Sequence, residues 1–287
     1  MSLLSVKDAS FVYSQKTPFQ HTAVENVSFD VDQGDFIGII GHTGSGKSTL
    51  VQMLNGLLKP TSGSITLDGI NIWDKPKEIR KIRFRVGLVF QYPEYQLFEE
   101  TVEKDISFGP MNMGLSEEEI RERVLRAAQF VGLDTELLQK SPFDLSGGEK
   151  RRAAIAGVIA MDPDILILDE PCAGLDPLGR DVMLAQIYRY HQQRNNTVLL
   201  VSHSMEDVAA VCDKALVMNH SHLEMYDTCD CIFSKGDRLA EMGLRVPQIT
   251  SIVDHLIAAG FPLNKGTLTV ENAVNDITEF LKKEGRL

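Results

Sequence analysis

The chain has 287 residues, 43% of them hydrophobic, with 40 acidic against 29 basic side chains and a formal net charge of −11. That length and apolar content supply one large α/β domain plus accessory pieces, with a core that needs no disulfide staples. The acidic balance argues against binding a phosphate backbone, because such affinity rests on clustered Lys and Arg, so no nucleic-acid partner is expected.

The four cysteines, Cys172, Cys212, Cys229 and Cys231, lack the regular spacing of a disulfide framework and fit a reducing cytosol. Cys229-x-Cys231 has no second Cys/His pair nearby to complete a zinc site. The first residues do not read as a secretory leader, and the longest clearly apolar stretch, 153–161, is about half of the ~20 residues that span a bilayer. Membrane association is therefore expected only through a partner.

In chain order, residues 2–40 read as short β segments, with alternation across 27–31, a turn at Gln33-Gly34-Asp35 and a buried strand at 36–40. The glycine-rich stretch Gly41-His42-Thr43-Gly44-Ser45-Gly46-Lys47-Ser48 follows, and a helix is expected from Thr49 to Leu54. Residues 92–160 look mainly helical. Ser116-x-x-Glu119 is a capping box for a helix over 117–131 that stops at Gly132. The runs 164–169 and 197–202 have the short, apolar, β-branched character of buried parallel strands. Beyond about residue 235 two amphipathic stripes appear, Ile249, Ile252, Val253, Leu256 and Ile257, then Val274, Ile277, Phe280 and Leu281. The expected organisation is a doubly wound α/β core over 1–234 with a helical insertion at about 92–162, and a small C-terminal appendage over 235–287 that packs on the core or on a partner.

Gly41-x-x-x-x-Gly46-Lys47-Ser48 is the phosphate-loop pattern in the strand–loop–helix setting that gives it meaning. Its glycines let successive backbone N–H groups surround a β-phosphate, and the following helix adds its positive N-terminal dipole. Lys47 is placed to reach the β- and γ-phosphates and Ser48 to offer its hydroxyl to Mg²⁺. A chance match anywhere in such a chain is on the order of one per cent at average glycine content. The strand over 165–168 then delivers Asp169 and Glu170 to its carboxyl end, where open parallel sheets bind ligands. Asp169 is expected to hold Mg²⁺ through water, and Glu170 to orient or deprotonate the attacking water.

Leu145-Ser146-Gly147-Gly148-Glu149 resembles the signature of ABC ATPases, opening a helix expected over 149–161 and offering a second anion site of backbone N–H groups. The resemblance covers residues from about 3 to 235 and implies an ABC-type P-loop NTPase domain with a β subdomain. It implies that ATP and Mg²⁺ are bound, with Tyr13 as the adenine-stacking aromatic and Gln91 as the Q-loop glutamine that meets metal and water. Asp176 in Gly174-Leu175-Asp176 then falls in the D-loop, His203 is the switch histidine, and Ser146, Gly147 and Gly148 face a γ-phosphate held by another subunit. Thr43, Ser45 and Thr49 complete the nucleotide contacts.

Residues 90–98 and 101–110 are similar to the ATPase subunits of energy-coupling factor transporters, which take up vitamins and transition-metal ions in prokaryotes, and within that family to the second ATPase subtype. The resemblance implies a homologous ATPase chain as partner, a transmembrane coupling protein, a substrate-binding membrane protein and a place on the cytoplasmic face of the membrane. Two residues depart from the common pattern: Glu149 stands where many members have Gln, and Cys172 where many have Thr or Ser. An ABC ATPase serving another importer remains an alternative. A soluble ABC mechanoprotein is the other, disfavoured by the acidic balance and by the lack of a coiled coil or second cassette.

Overall fold

The computed structural model describes residues 2–283. Its first layer is an antiparallel sheet built from β1 (Leu4–Tyr13) and β2 (His21–Val31), longer strands than the short segments expected. After β3 (Phe36–Ile40) and α1 (Lys47–Leu54), β4 (Ser62–Leu67) and β5 (Ile70–Asn71) complete that sheet in the order β2-β1-β4-β5. From Val27 to Val31 the buried and exposed residues of β2 alternate, as a half-buried strand requires.

The chain continues through α2 (Ile79–Arg85) and β6 (Val86–Val89) into the helical insertion, α3 (Val102–Met113), α4 (Glu117–Phe130) and α5 (Gly147–Ile159). The Ser116 capping box of α4 is present in full. Helix α5 starts two residues before its expected Glu149, because Ser146 makes the same box with Glu149 and draws both glycines into the first turn.

Next come β7 (Ile165–Asp169), α6 (Pro177–Arg194), β8 (Thr197–Val201), α7 (Met205–Val211), β9 (Lys214–Asn219) and β10 (His222–Thr228). The central sheet runs β10-β9-β3-β8-β7-β6, parallel except for the β9–β10 hairpin at its edge. β3, β8 and β7 are buried from end to end and mostly apolar because both faces of the sheet are covered. Ile165 and Ile167 of β7 join a core shared with the antiparallel sheet and α1, while Leu166 and Leu168 join one shared with the helical insertion and α6.

The chain closes with α8 (Cys229–Phe233), α9 (Gly236–Glu241), α10 (Gln248–Ala258) and α11 (Val270–Lys283). Leu239 and Leu244 belong to the main core, whereas Phe261, three residues beyond α10, meets Phe280 of α11 edge-on. Their stripes remain partly open: Val253 is buried, but Ile252 and Val274 are more than half exposed. No helix among the described residues is long and apolar enough to cross a membrane.

Candidate functional site

Four parallel strands end at one place. β3 runs into the phosphate loop, β6 into Phe90 and Gln91, β7 into Asp169 and Glu170, and β8 into Ser202 and His203. A cavity of about 340 Å³ opens there, lined by Tyr13, Thr43, Gly44, Gly46, Lys47, Ser48, Thr49, Gln91, Asp169, Glu170 and His203. His21 and Ala23 of β2 line it as well, and nothing in the sequence pattern of that segment marks them. They arrive through the β1–β2 ladder, in which His21 lies opposite Tyr13.

The loop has no room for side chains at its close approaches. A Cβ on Gly46, at φ 103°, would lie 2.1 Å from the carbonyl oxygen of Ala23, and one on Gly41 2.3 Å from that of Met218. Ser45 is wholly buried, and its backbone oxygen accepts from Ser221 N–H at 3.2 Å. The partly buried His42 turns its ring towards His220, 4.9 Å between centroids.

Lys47 is only 6% exposed and folds back over the loop, its Nζ donating to the carbonyls of Gly41 at 2.7 Å and His42 at 3.0 Å. Burial pushes its ammonium below the usual lysine range, against the pull of Glu170 and Asp169. Asp169 is buried at the end of β7 and its carboxyl is raised by that burial, with the Ser48 hydroxyl and Lys47 pulling the other way. Glu170 is pushed up to about 7, first by burial and then by the charge of Asp169 beside it. Its backbone sits in the left-handed region at φ 53°, strain of the kind that gathers at functional sites. Its Oε1 lies 3.3 Å from His203 Nε2 without hydrogen-bond geometry. Burial and then the Lys47 charge lower His203, so its imidazole favours the neutral form.

The buried Asp169 carboxylate, the Ser48 hydroxyl and the Gln91 side chain line one cavity and offer a hard oxygen donor set, which suits a magnesium ion that brings phosphate oxygens with it. At the rim, the Tyr13 hydroxyl is 3.2 Å from Thr49 Oγ1 and its ring is 39% exposed, open for stacking.

The remaining candidates lie elsewhere. Ser146 and Gly147 are exposed at the start of α5, with nothing within 4 Å of a Cβ built on Gly147. Gly148 and Asp176 line a separate cleft of about 450 Å³ with Arg152, Gly174 and Leu175. Asp176 caps α6, accepting from Gly179 N–H at 2.7 Å. Within one chain, the phosphate-loop half and the signature half of the site therefore do not meet.

A phosphate loop after β3, paired acids at the end of β7 two strands away in the same sheet, and a glycine-opened helix on an inserted subdomain together define an ABC-type ATPase. The sequence model of the ABC transporter family matches residues 24–173. The energy-coupling factor transporter ATP-binding protein EcfA2 of Caldanaerobacter subterraneus subsp. tengcongensis is 53% identical over 279 residues, covering 97% of this chain and 98% of that protein. The protein of the same name from Bacillus subtilis is 48% identical over 95% of this chain and 100% of its own length. Among solved structures, cbiO1 from Clostridium perfringens, part of the ABC transporter complex cbiONQ, superposes with TM-score 0.75 at 36% identity, covering 88% of this chain and 99% of that one. A dimeric ATP-binding cassette in a post-hydrolysis state with ADP and Pi gives TM-score 0.71 at 26% identity over 78% of this chain and 98% of its own. The chain belongs to the ATP-binding proteins of energy-coupling factor transporters, and it is an ATPase.

Proposed function

We propose that this chain binds and hydrolyses ATP to power a prokaryotic energy-coupling factor importer for vitamins or transition-metal ions, as one half of a pair with a homologous ATPase subunit. The observation that carries the reading is the separation of the two half-sites, since the cavity around Lys47 contains acids and phosphate donors but none of the signature residues. Two chains closed head to tail supply each nucleotide with both halves, Ser146, Gly147 and Gly148 completing the γ-phosphate site of the other chain.

In this scheme Gly41, His42, Thr43, Gly44, Ser45, Gly46 and Lys47 cradle the phosphates, and Thr49 and Tyr13 position the nucleoside end. Ser48, Asp169 and Gln91 hold Mg²⁺, which neutralises charge on the β- and γ-phosphate oxygens when bound. Glu170 takes the proton of the attacking water, His203 steadies the γ-phosphate side, and Asp176 sits at the contact between the two chains. The transmembrane coupling protein docks in a groove of about 650 Å³ lined by Leu57, Phe84, Phe90, Leu97, Phe98 and Phe108. The substrate-binding membrane protein reaches the chain through that coupling protein. Residues 235–287 serve as a dimerisation appendage on a peripheral subunit at the cytoplasmic face of the membrane.

Affinity purification of the tagged chain from membranes tests the assignment. It is expected to bring down a second ATPase chain and at least one multi-spanning membrane protein. Recovery of ribosomes or nucleic acid in their place would overturn it.

A further inference from the structure

Arg151 lies on α5, one turn beyond the signature, and is only 4% exposed. A buried guanidinium is costly unless every donor has a partner, and here the partners come from two other segments. Nε donates to Glu94 Oε2 at 3.1 Å and Nη2 to Glu94 Oε1 at 2.7 Å, a fork-on-fork pair with a carboxylate that is itself 16% exposed. Nη1 donates to the backbone oxygens of Pro171, at 3.3 Å, and of Ala173. Burial works to raise the Glu94 carboxyl, but the hydrogen bond and charge of Arg151 outweigh it and hold it below the ordinary range.

Each end of this bridge sits beside working parts. Pro171 follows Glu170, and Ala173 N–H closes the turn onto the Glu170 carbonyl at 3.1 Å, so the guanidinium grips the loop that aims that side chain. Glu94 belongs to a single 3-10 turn, Pro93–Gln96, which begins two residues after Gln91. Its last residue, Gln96, and the next two, Leu97 and Phe98, lie on the wall of the apolar groove. Tyr92, which opens the turn, is held in the left-handed region at φ 55°, with its ring 6.0 Å from the guanidinium. Strain of that kind persists only where the surroundings over-determine it, and the turn is held both by its own Tyr95 N–H to Tyr92 carbonyl bond and by the Arg151 fork on Glu94.

We propose that Arg151 and Glu94 are a positioning pair that couples the loop after Glu170 to the 92–98 segment of the groove, so that nucleotide in the cavity resets the groove wall and an occupant of the groove resets Glu170. The one guanidinium is hydrogen-bonded to both segments, so a shift of either loop must break or carry those bonds. Coupling of this kind is reciprocal, so it is measurable from the nucleotide side alone. The part played by a membrane protein in the groove rests on the function proposed above; the link between cavity and groove does not.

The test uses the full chain carrying Glu170→Gln to retain ATP, with hydrogen exchange followed over residues 91–98 with and without Mg²⁺ and ATP. With Arg151 and Glu94 intact, ATP is expected to change exchange there by about 5-fold or more, the low end of typical site-to-site coupling. Adding Glu94→Gln, which keeps the size and removes the charge, is expected to abolish that difference while leaving the ATP Kd and the slow exchange of β7 as they were. A merely structural pair would instead loosen β7 and the groove together, with or without ATP. Arg151→Lys provides a second variant that keeps a buried cation but not the fork, and it too is expected to lose the response. A full ATP response in either variant, or none with the pair intact, overturns the proposal. Phe98→Asp separates this from the docking reading: membrane-protein capture that survives that change refutes docking in the groove and leaves the exchange result standing.

Discussion

Glu170→Gln changes a single atom, and the structure predicts opposite effects on catalysis and on stability. With the carboxylate gone, the water beside the γ-phosphate loses its proton acceptor while Lys47, Ser48 and Asp169 remain. Steady-state hydrolysis is expected to fall by ~10²–10⁴-fold, about 3–5 kcal/mol of barrier. Free of nucleotide and Mg²⁺, however, the ionised Glu170 works against the fold, because burial and then Asp169 raise its carboxyl from 4.5 to about 7. Between those two values the native state holds a proton that the unfolded chain has released, so stability falls as pH rises through that window and levels off above it. The gap corresponds to at most ~3 kcal/mol. Glutamine carries no such penalty, so the nucleotide-free variant should match the parent near pH 4.5 and exceed it by a few degrees in melting temperature near pH 7.5. Paired thermal melts across pH, together with ATPase assays of the assembled complex, measure both effects. A melting difference that does not grow between pH 4.5 and 7 would refute the burial argument, and parental turnover by the variant would refute the role of Glu170 as the base.

Tyr13→Ala should weaken ATP binding by ~1–3 kcal/mol through lost stacking, with a smaller change at saturating ATP, whereas Tyr13→Phe loses only the hydroxyl contact to Thr49 and should stay close to the parent. Equal affinity of the alanine variant by calorimetry would make Tyr13 an ordinary strand aromatic. Gly46→Ala drives a methyl group to 2.1 Å from a backbone oxygen and strains a positive φ, so ATP binding should be lost even if the fold survives. Retained binding in a filter or calorimetric assay would contradict that geometry.

The phosphate loop and the paired acids are legible because their chemistry ties residue type to spacing within a few positions, and the structure brings them to one cavity. His21 and Ala23 are not legible, since only the cross-strand register beside Tyr13 places them there. Arg151 and Glu94 are 57 residues apart, and either alone resembles a solvent-facing charge in the linear sequence. The start of α5 is misplaced by two residues because glycine is a poor helix former and Gly147-Gly148 reads as a preceding loop. Ser146-x-x-Glu149 was nevertheless the same capping-box signal that places α4 correctly at Ser116 and Glu119. The length of β1 and β2 escapes notice because bulges interrupt their pairing and blur the two-residue period. The two C-terminal stripes fall on α10 and α11, and what the chain alone leaves partly exposed on them is the surface proposed above for dimerisation.

The central claim is that each nucleotide needs donors from two chains, and a mixed dimer tests it most directly. One chain carries Ser146→Glu, and only the site built on the partner's phosphate loop is left able to hydrolyse. The account predicts that ATP still binds to the isolated Ser146→Glu chain, since its own cavity contains no signature residue, while hydrolysis by the mixed dimer is abolished because the added carboxylate meets the γ-phosphate held opposite. Hydrolysis in that dimer at the rate of the control with Ser146 intact would contradict the composite site and, with it, the reading of this chain as half of a working pair.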